Sequence, residues 1–286
     1  MAVAKIGDVT YDTLAAAVTA ANAISDGAVI ELISDIELAQ NLNITKNVTI
    51  TGPYTINRTT AYVKTLFTVK SGATLTLDGG LTLDCGNEWT FDMEAYEEAV
   101  TTGTRIEDIY TILASEEGGV VATAVVFSVT GTLNLNDVTI QNHYSTSVGL
   151  VVPVNGARVN LTGARILHCA NSKNSGLIVS ASAADIYITI NEGTLIDGNF
   201  AGNNHGLFRL YSGAVLTMNG GTIQNTTGCN ANGVVIGMYG AGTTFIMNGG
   251  VIKDNSAAVG ISNGRNASIY VHQKATMIIT SKVTID

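Results

Sequence analysis

Residues 218–225 read Met-Asn-Gly-Gly-Thr-Ile-Gln-Asn, and residues 247–254 read Met-Asn-Gly-Gly-Val-Ile-Lys-Asp, 29 residues later. A chain that writes nearly one phrase twice at a fixed interval is repeating a structural unit. Segments 135–140, 161–166 and 190–195 align on the same phrase. The aligned apolar residues are Ile140, Ile166, Leu195, Ile223 and Ile252, at intervals of 26, 29, 28 and 29. Leu77-Asp78-Gly79-Gly80 reads as an earlier copy, and residues 44–50 as one earlier still.

Each copy contains three short runs of alternating apolar and polar residues, such as 207–210, 215–218 and 222–223. A period of two means strands with one face buried. Strands this short cannot cover that face alone, so they stack on the next copy at about 4.8 Å per layer. Three strands in 26–29 residues describe one coil of a parallel β-solenoid. A propeller blade needs about 40–45 residues, and leucine-rich repeats follow another pattern. The composition agrees: 46% hydrophobic, 13% charged, 31 Gly and 2 Pro suit many short strands joined by tight turns.

Two polar columns accompany the repeat. Asp78, Asn136, Asn191, Asn219 and Asn248 precede the glycine positions, with Thr162 the exception. Asn and Asp tolerate left-handed backbone angles, and stacked amides can bond to the coils above and below. A second column follows the aligned apolar residue: Asn142, His168, Asp197, Asn225 and Asp254. Both columns read as turn ladders.

These residues resemble the right-handed parallel β-helix of the pectate-lyase-like fold. The GGTI-x-N form of the repeat is similar to that of bacterial cell-surface and adhesin-like proteins. The resemblance covers nearly the whole chain. It implies an all-β, right-handed parallel β-helix with three-strand coils, an N-terminal capping helix and a helical insert. Lyases, hydrolases, phage spikes and adhesins share this fold, so function has to be argued from the site.

The chain reads as one domain over 1–286, with an N-terminal cap over 1–35, an acidic helical insert over 86–119 and regular coils over 120–286. A helix is predicted over 11–23, with Leu14, Val18 and Ala21 on one face, between strands over 3–9 and 29–33. A helix laid over an open solenoid end protects its unpaired backbone groups. Residues 278–285 read as strand, so the natural protein is expected to continue or its last coil to pair with something.

The insert carries nine acids and one base, a net −8 of the chain's −9. It also holds Trp89, Phe91, Tyr96 and Tyr110. Phe91, Ala95 and Ala99 form one helical stripe, and Ile106, Ile109, Tyr110 and Leu113 a second. A helical hairpin on the solenoid flank, acids outward, is the expectation. Insertions in repeat proteins often map to the binding face, which makes Trp89, Tyr96, Glu97, Glu98 and Tyr110 the candidate binding residues. Calcium is the one cofactor left open. It needs six to eight converging oxygens, whereas Glu97 and Glu98 diverge on a helix, so no metal site is assigned.

A net charge of −9 with no basic face argues against nucleic acid. Cys85, Cys169 and Cys229 show no CxxC spacing. No run of 18 apolar residues predicts membrane insertion. The N-terminus lacks the apolar stretch of a signal peptide, and the expectation is a mature fragment of a longer extracellular surface protein. Glycoside hydrolysis needs two carboxylates about 5–9.5 Å apart. His168 and Asp197, one coil apart in one column, are the best acid–base candidates, with His143 and Tyr144 beside them. Residues 203–206 (Asn-Asn-His-Gly) lack the aspartate pair and Arg-x-Lys that accompany the His-Gly element of polygalacturonase-like enzymes. Arg209 stands alone in a column with Pro153, Ser180 and Ile236. Residues 237–242 (Gly-Met-Tyr-Gly-Ala-Gly) lack a Walker lysine and are no phosphate loop. Arg158, Arg165 and His272 read as surface. The expected function is a non-catalytic extracellular module for adhesion or glycan binding, or a rigid stalk, with a glycan or host-surface ligand as partner. The alternative is a polysaccharide lyase or glycoside hydrolase on the same fold.

Overall fold

The computed structural model describes residues 1–59, 61–87, 90–91, 98, 102, 113–114, 123–146, 148–171, 176–180, 185–201, 206–228, 233–257, 267–272 and 274–286. The chain is an all-β parallel solenoid whose stacked coils accord with a right-handed β-helix. One coil runs Phe208–Tyr211, Val215–Met218, Thr222–Gln224, Thr227–Gly228. Stacking turns these four positions into four sheets, called here I to IV in that order. Among the described residues they hold eight, eleven, nine and five strands. Sheet IV is absent from the sequence reading. Its strands are two residues long and too short to show alternation.

The period-two pattern explains the core. Sheet II points Leu75 and Leu77, Leu133 and Leu135, Val159 and Leu161, Ile188 and Ile190, Leu216 and Met218, and Phe245 and Met247 inward, all buried. Sheet III adds Ile56, Leu83, Ile140, Ile166, Ile196, Ile223 and Ile252. In sheet I, Phe67 and Phe127 pair across neighbouring coils and stack with ring centroids 5.2 Å apart.

One coil departs from the sequence alignment. Ile166 pairs with Ile196, and Ile196 with Ile223, while Leu195 pairs with Arg165 and Thr222. Ile196 is buried and Leu195 is not. The turn before this strand carries one extra residue, and a one-residue slip exchanges the two faces of a strand.

The two polar columns divide their roles. Asn191 Nδ2 donates to Thr162 Oγ1 at 3.1 Å, Asn219 Nδ2 to Asn191 Oδ1 at 3.0 Å, and Asn248 Nδ2 to Asn219 Oδ1 at 2.9 Å. Thr280 Oγ1 extends the row by donating to Asn248 Oδ1 at 2.6 Å. Thr162 is therefore a member of the ladder. None of these asparagines has a positive φ; the glycines that follow, such as Gly193, Gly221 and Gly250, do. The second column does take the left-handed angle: Asn142, His168, Asn225 and Asp254 have φ of 58°, 47°, 51° and 54°. In the shifted coil that place belongs to Gly198, with φ 62°, and not to Asp197.

At the N-terminal end, Ala4–Ile6 and Val9–Tyr11 form an antiparallel hairpin, so the helix begins later than predicted, at Leu14–Ala23. Thr13 caps it, its Oγ1 accepting from Ala16 N at 3.1 Å. Leu14, Ala17, Val18 and Ala21 are buried against the first coils. Asn22 pins the cap by donating to Asn43 O at 2.8 Å and accepting from Thr45 N at 2.9 Å. Among the described residues no helix is long and apolar enough to cross a membrane.

The insert leaves and re-enters through a short antiparallel ribbon, Thr90–Phe91 with Leu113–Ala114. Phe91 and Leu113 were expected in helical stripes. Chain ends that must meet at the solenoid wall can satisfy their backbone groups by pairing with each other. Thr102 N bonds to Glu98 O at 2.9 Å, one helical turn. The remainder of the predicted hairpin lies outside the described residues.

Candidate functional site

His168 and Asp197 meet across neighbouring coils through the backbone, His168 N donating to Asp197 O at 3.4 Å. His168 and Asp197 are placed in different columns, and the carboxylate turns the other way. Asp197 accepts from Asn225 Nδ2 at 2.8 Å and Gln224 Nε2 at 3.2 Å, both on the coil beyond. His168, on the coil before, lies against Gly198, where a Cβ would sit 3.4 Å from its Cε1. Asp84 repeats the motif, accepting from Gln141 Nε2 at 2.7 Å and from Asn142 Nδ2 at 3.2 and 3.1 Å. An aspartate at a strand end, clasped by Gln-Asn of the next coil, is thus an inter-coil fastening. Its sequence signal is Asp84 with Gln141-Asn142, and Asp197 with Gln224-Asn225.

His143 cannot widen a surface site, because it is fully buried. Burial, and then the nearby Arg58 cation, push its pKa down to about 3. Its Nδ1 lies 3.4 Å from Thr123 Oγ1, and its Nε2 has no hydrogen-bond partner among the described residues. Arg58 is itself only 2% exposed. Its guanidinium donates to the carbonyls of Tyr62, Lys64 and Ala124, and burial lowers its pKa. Cys85 and Cys169 are free thiols nearby, both held protonated by burial, Cys169 with its pKa pushed up to about 12. Such thiols make poor nucleophiles, since the thiolate is the reactive form. Among the described residues no group of three or more His, Cys, Asp or Glu could hold a metal ion.

Of the candidate binding residues in the insert, Trp89, Tyr96, Glu97 and Tyr110 lie outside the described residues. Glu98 is exposed.

A site that sequence reading missed stands on the outer face of sheet I. Tyr211 and Tyr239 pair in register, with ring centroids 5.9 Å apart and planes at 40°. Tyr239 and Tyr270 follow at 5.8 Å and 39°, and Tyr270 and His272 at 6.3 Å. The three tyrosines are half-buried and His272 is exposed. Arg209 stands at the N-terminal end of this row, its Cζ 4.7 Å from the centre of the Tyr211 ring. Its register neighbours are Val179 and Gly237, not Ser180 and Ile236. A Cβ at Gly237 would lie 2.7 Å from Tyr239 Cε2 and 2.8 Å from Tyr239 Oη. The missing side chain is what lets the Tyr239 ring lie down along the sheet. Tyr270 pairs with Gly237, two residues before the register place of Tyr239, so its contact with the Tyr239 ring crosses columns. No periodic signal marks the three tyrosines in the sequence, because they do not share one register position.

On sheet II, Arg158 Cζ lies over the Tyr187 ring, 4.6 Å from its centre. Comparison of the chain with protein-family models, with curated proteins and with solved structures gives no match.

Proposed function

We propose that this chain is a non-catalytic extracellular surface module that binds glycans on the outer face of sheet I, with the solenoid as its rigid support. The row Tyr211–Tyr239–Tyr270 carries the reading. An aromatic face is electron-rich and attracts the polarised C–H groups on the flat side of a pyranose ring. Tyrosine loses few torsions on binding, so it contributes contact area at low entropic cost. Rings held on successive coils, with centroids 5.9 and 5.8 Å apart, are ordered before the ligand arrives. An extended saccharide chain laid along the solenoid axis would meet successive rings. A continuous core with inter-coil amide ladders suits a support that must not bend.

The test is retention on a panel of immobilised polysaccharides, with Tyr239→Ala and Gly237→Ala beside the unaltered protein. Loss of a central aromatic anchor should weaken binding by about tenfold or more. Gly237→Ala should do the same by lifting the Tyr239 ring, with the far-ultraviolet spectrum unchanged in both. Retention of no polysaccharide, or retention of Tyr239→Ala at full strength, overturns the reading. Release of shorter sugars during the same incubations would overturn the non-catalytic part and favour a lyase or hydrolase.

A further inference from the structure

We propose that Tyr239 and Tyr270 form an oxidative cross-linking site, where a one-electron oxidant joins two neighbouring coils through a carbon–carbon bond between the rings. This site stands independently of the glycan reading above.

Three observations carry it. The rings are already neighbours, with centroids 5.8 Å apart and planes at 39°. The reactive edge of Tyr239 is turned toward the strand of its partner. A Cβ at Gly237 would lie 2.7 Å from Tyr239 Cε2 and 2.8 Å from Tyr239 Oη. Gly237 is the register partner of Tyr270, one strand away. Cε2 is a carbon beside the phenol oxygen, where a phenoxyl radical carries unpaired spin and forms bonds. Both side chains are half-buried, so a small oxidant in solution reaches them. Tyr211 is the other neighbour of Tyr239, at 5.9 Å. The Arg209 guanidinium lies over the Tyr211 ring, its Cζ 4.7 Å from the centre. A cation held there opposes the removal of an electron, which leaves Tyr270 as the readier partner.

The chemistry balances with the oxidant as the one added reagent. Each ring gives one electron to an oxidant molecule and its phenolic proton to water. The two radicals pair to form the bond between carbons ortho to the oxygens. The hydrogens on those carbons then migrate to the oxygens and restore both phenols. The protein loses two hydrogen atoms, and two equivalents of oxidant are each reduced by one electron.

The place in the fold gives the bond a consequence. Among the described residues of 267–286 none is buried, whereas the coil before them buries Ile236, Met238, Phe245, Met247 and Ile252. Few apolar contacts hold these strands, the setting in which local opening is easiest. A covalent tie from 239 to 270 removes conformations that the opened coil could otherwise visit.

The experiment illuminates the full chain at micromolar concentration with tris(bipyridine)ruthenium and persulfate. The expected product is a monomer lighter by two hydrogens, with dityrosine fluorescence, whose tryptic peptides 210–253 and 266–274 travel as one joined species. Tyr239→Phe and Tyr270→Phe should each lower that species about tenfold or more, because coupling must then draw on partners in dilute solution. Unfolding the unaltered protein in urea before illumination should lower it by a similar factor. Tyr211→Phe, and Tyr187→Phe beside Arg158 on sheet II, should leave it intact. In the coupled protein, amide hydrogen exchange over Thr276–Ile279 should slow. Joined peptides that persist in Tyr239→Phe or in urea overturn the inference. A bond between Tyr211 and Tyr239 in their place, or a product that is only dimeric, overturns it too. Exchange that coupling leaves unchanged overturns the fastening of the coil.

Discussion

Replacing Ile196 by alanine, and separately Leu195 by alanine, tests the register on which the reading of the surface depends. The repeat in the sequence aligns Leu195 with Ile166 and Ile223, whereas the backbone pairing puts Ile196 between them. Ile196 is 2% exposed and enclosed by core residues of both neighbouring coils. Its truncation leaves a cavity that solid packing cannot close, at a cost of about 2–5 kcal/mol. Leu195 points outward between Arg165 and Thr222, and its truncation loses only partial burial, about 1 kcal/mol or less. Urea titration of both variants should show a lower midpoint for Ile196→Ala with the slope unchanged. Solenoids can unfold coil by coil, so the transition should be followed by both circular dichroism and tyrosine fluorescence. If Leu195→Ala costs as much as Ile196→Ala, the pairing is wrong. Asp197 would then return to the column of His168, and an acid–base pair would again be open.

Two further outcomes follow from buried and laddered polar groups. His143 is held neutral, with its pKa lowered by burial and by Arg58 to about 3 from an ordinary 6.5. The unfolded chain therefore binds more protons between these values. The contribution is fully present above about pH 6.5 and is lost as pH falls toward 3, by up to about 5 kcal/mol across the window. Melting temperatures from pH 8 to 4 should drop on the acid side, and His143→Gln should flatten that limb; parallel curves would refute the assignment. Asn219→Ala removes one bond donated to Asn191 and one accepted from Asn248. It should lower stability by about 1–2 kcal/mol in denaturant titration, and no change would show that the exposed ladder contributes nothing.

Much of the architecture was legible because its signals are local. Alternation within 215–218 and 222–223 declares strands and their buried faces, and recurrence at nearly constant intervals declares stacking. The capping helix was legible from Leu14, Val18 and Ala21, although its start was placed too early because a hairpin and a helix can both claim Tyr11. The asparagine ladder was legible from one recurring residue type. Its purpose was only half legible, since the same residue type serves turns and amide stacks. Nothing in the sequence singles out Arg58. It is buried because the carbonyls of Tyr62, Lys64 and Ala124 converge on it, two of them from a nearby loop and one from across the insert.

The sequence by itself determined that this chain is a solenoid of short strands, which residues alternate, where the coils are interrupted and where the charge collects. Only the tertiary structure decided which outward residues are neighbours. Pairing follows the backbone from coil to coil, and turns of unequal length shift it without leaving a mark in the alternation. With a side-chain period of two, a single extra residue before Leu195 moves Asp197 out of the column of His168 and into that of Leu167. Tyr270 stands in the register column of Arg209 and Gly237, and it meets Tyr239 only because the Tyr239 ring lies over Gly237, which no pattern in the sequence announces.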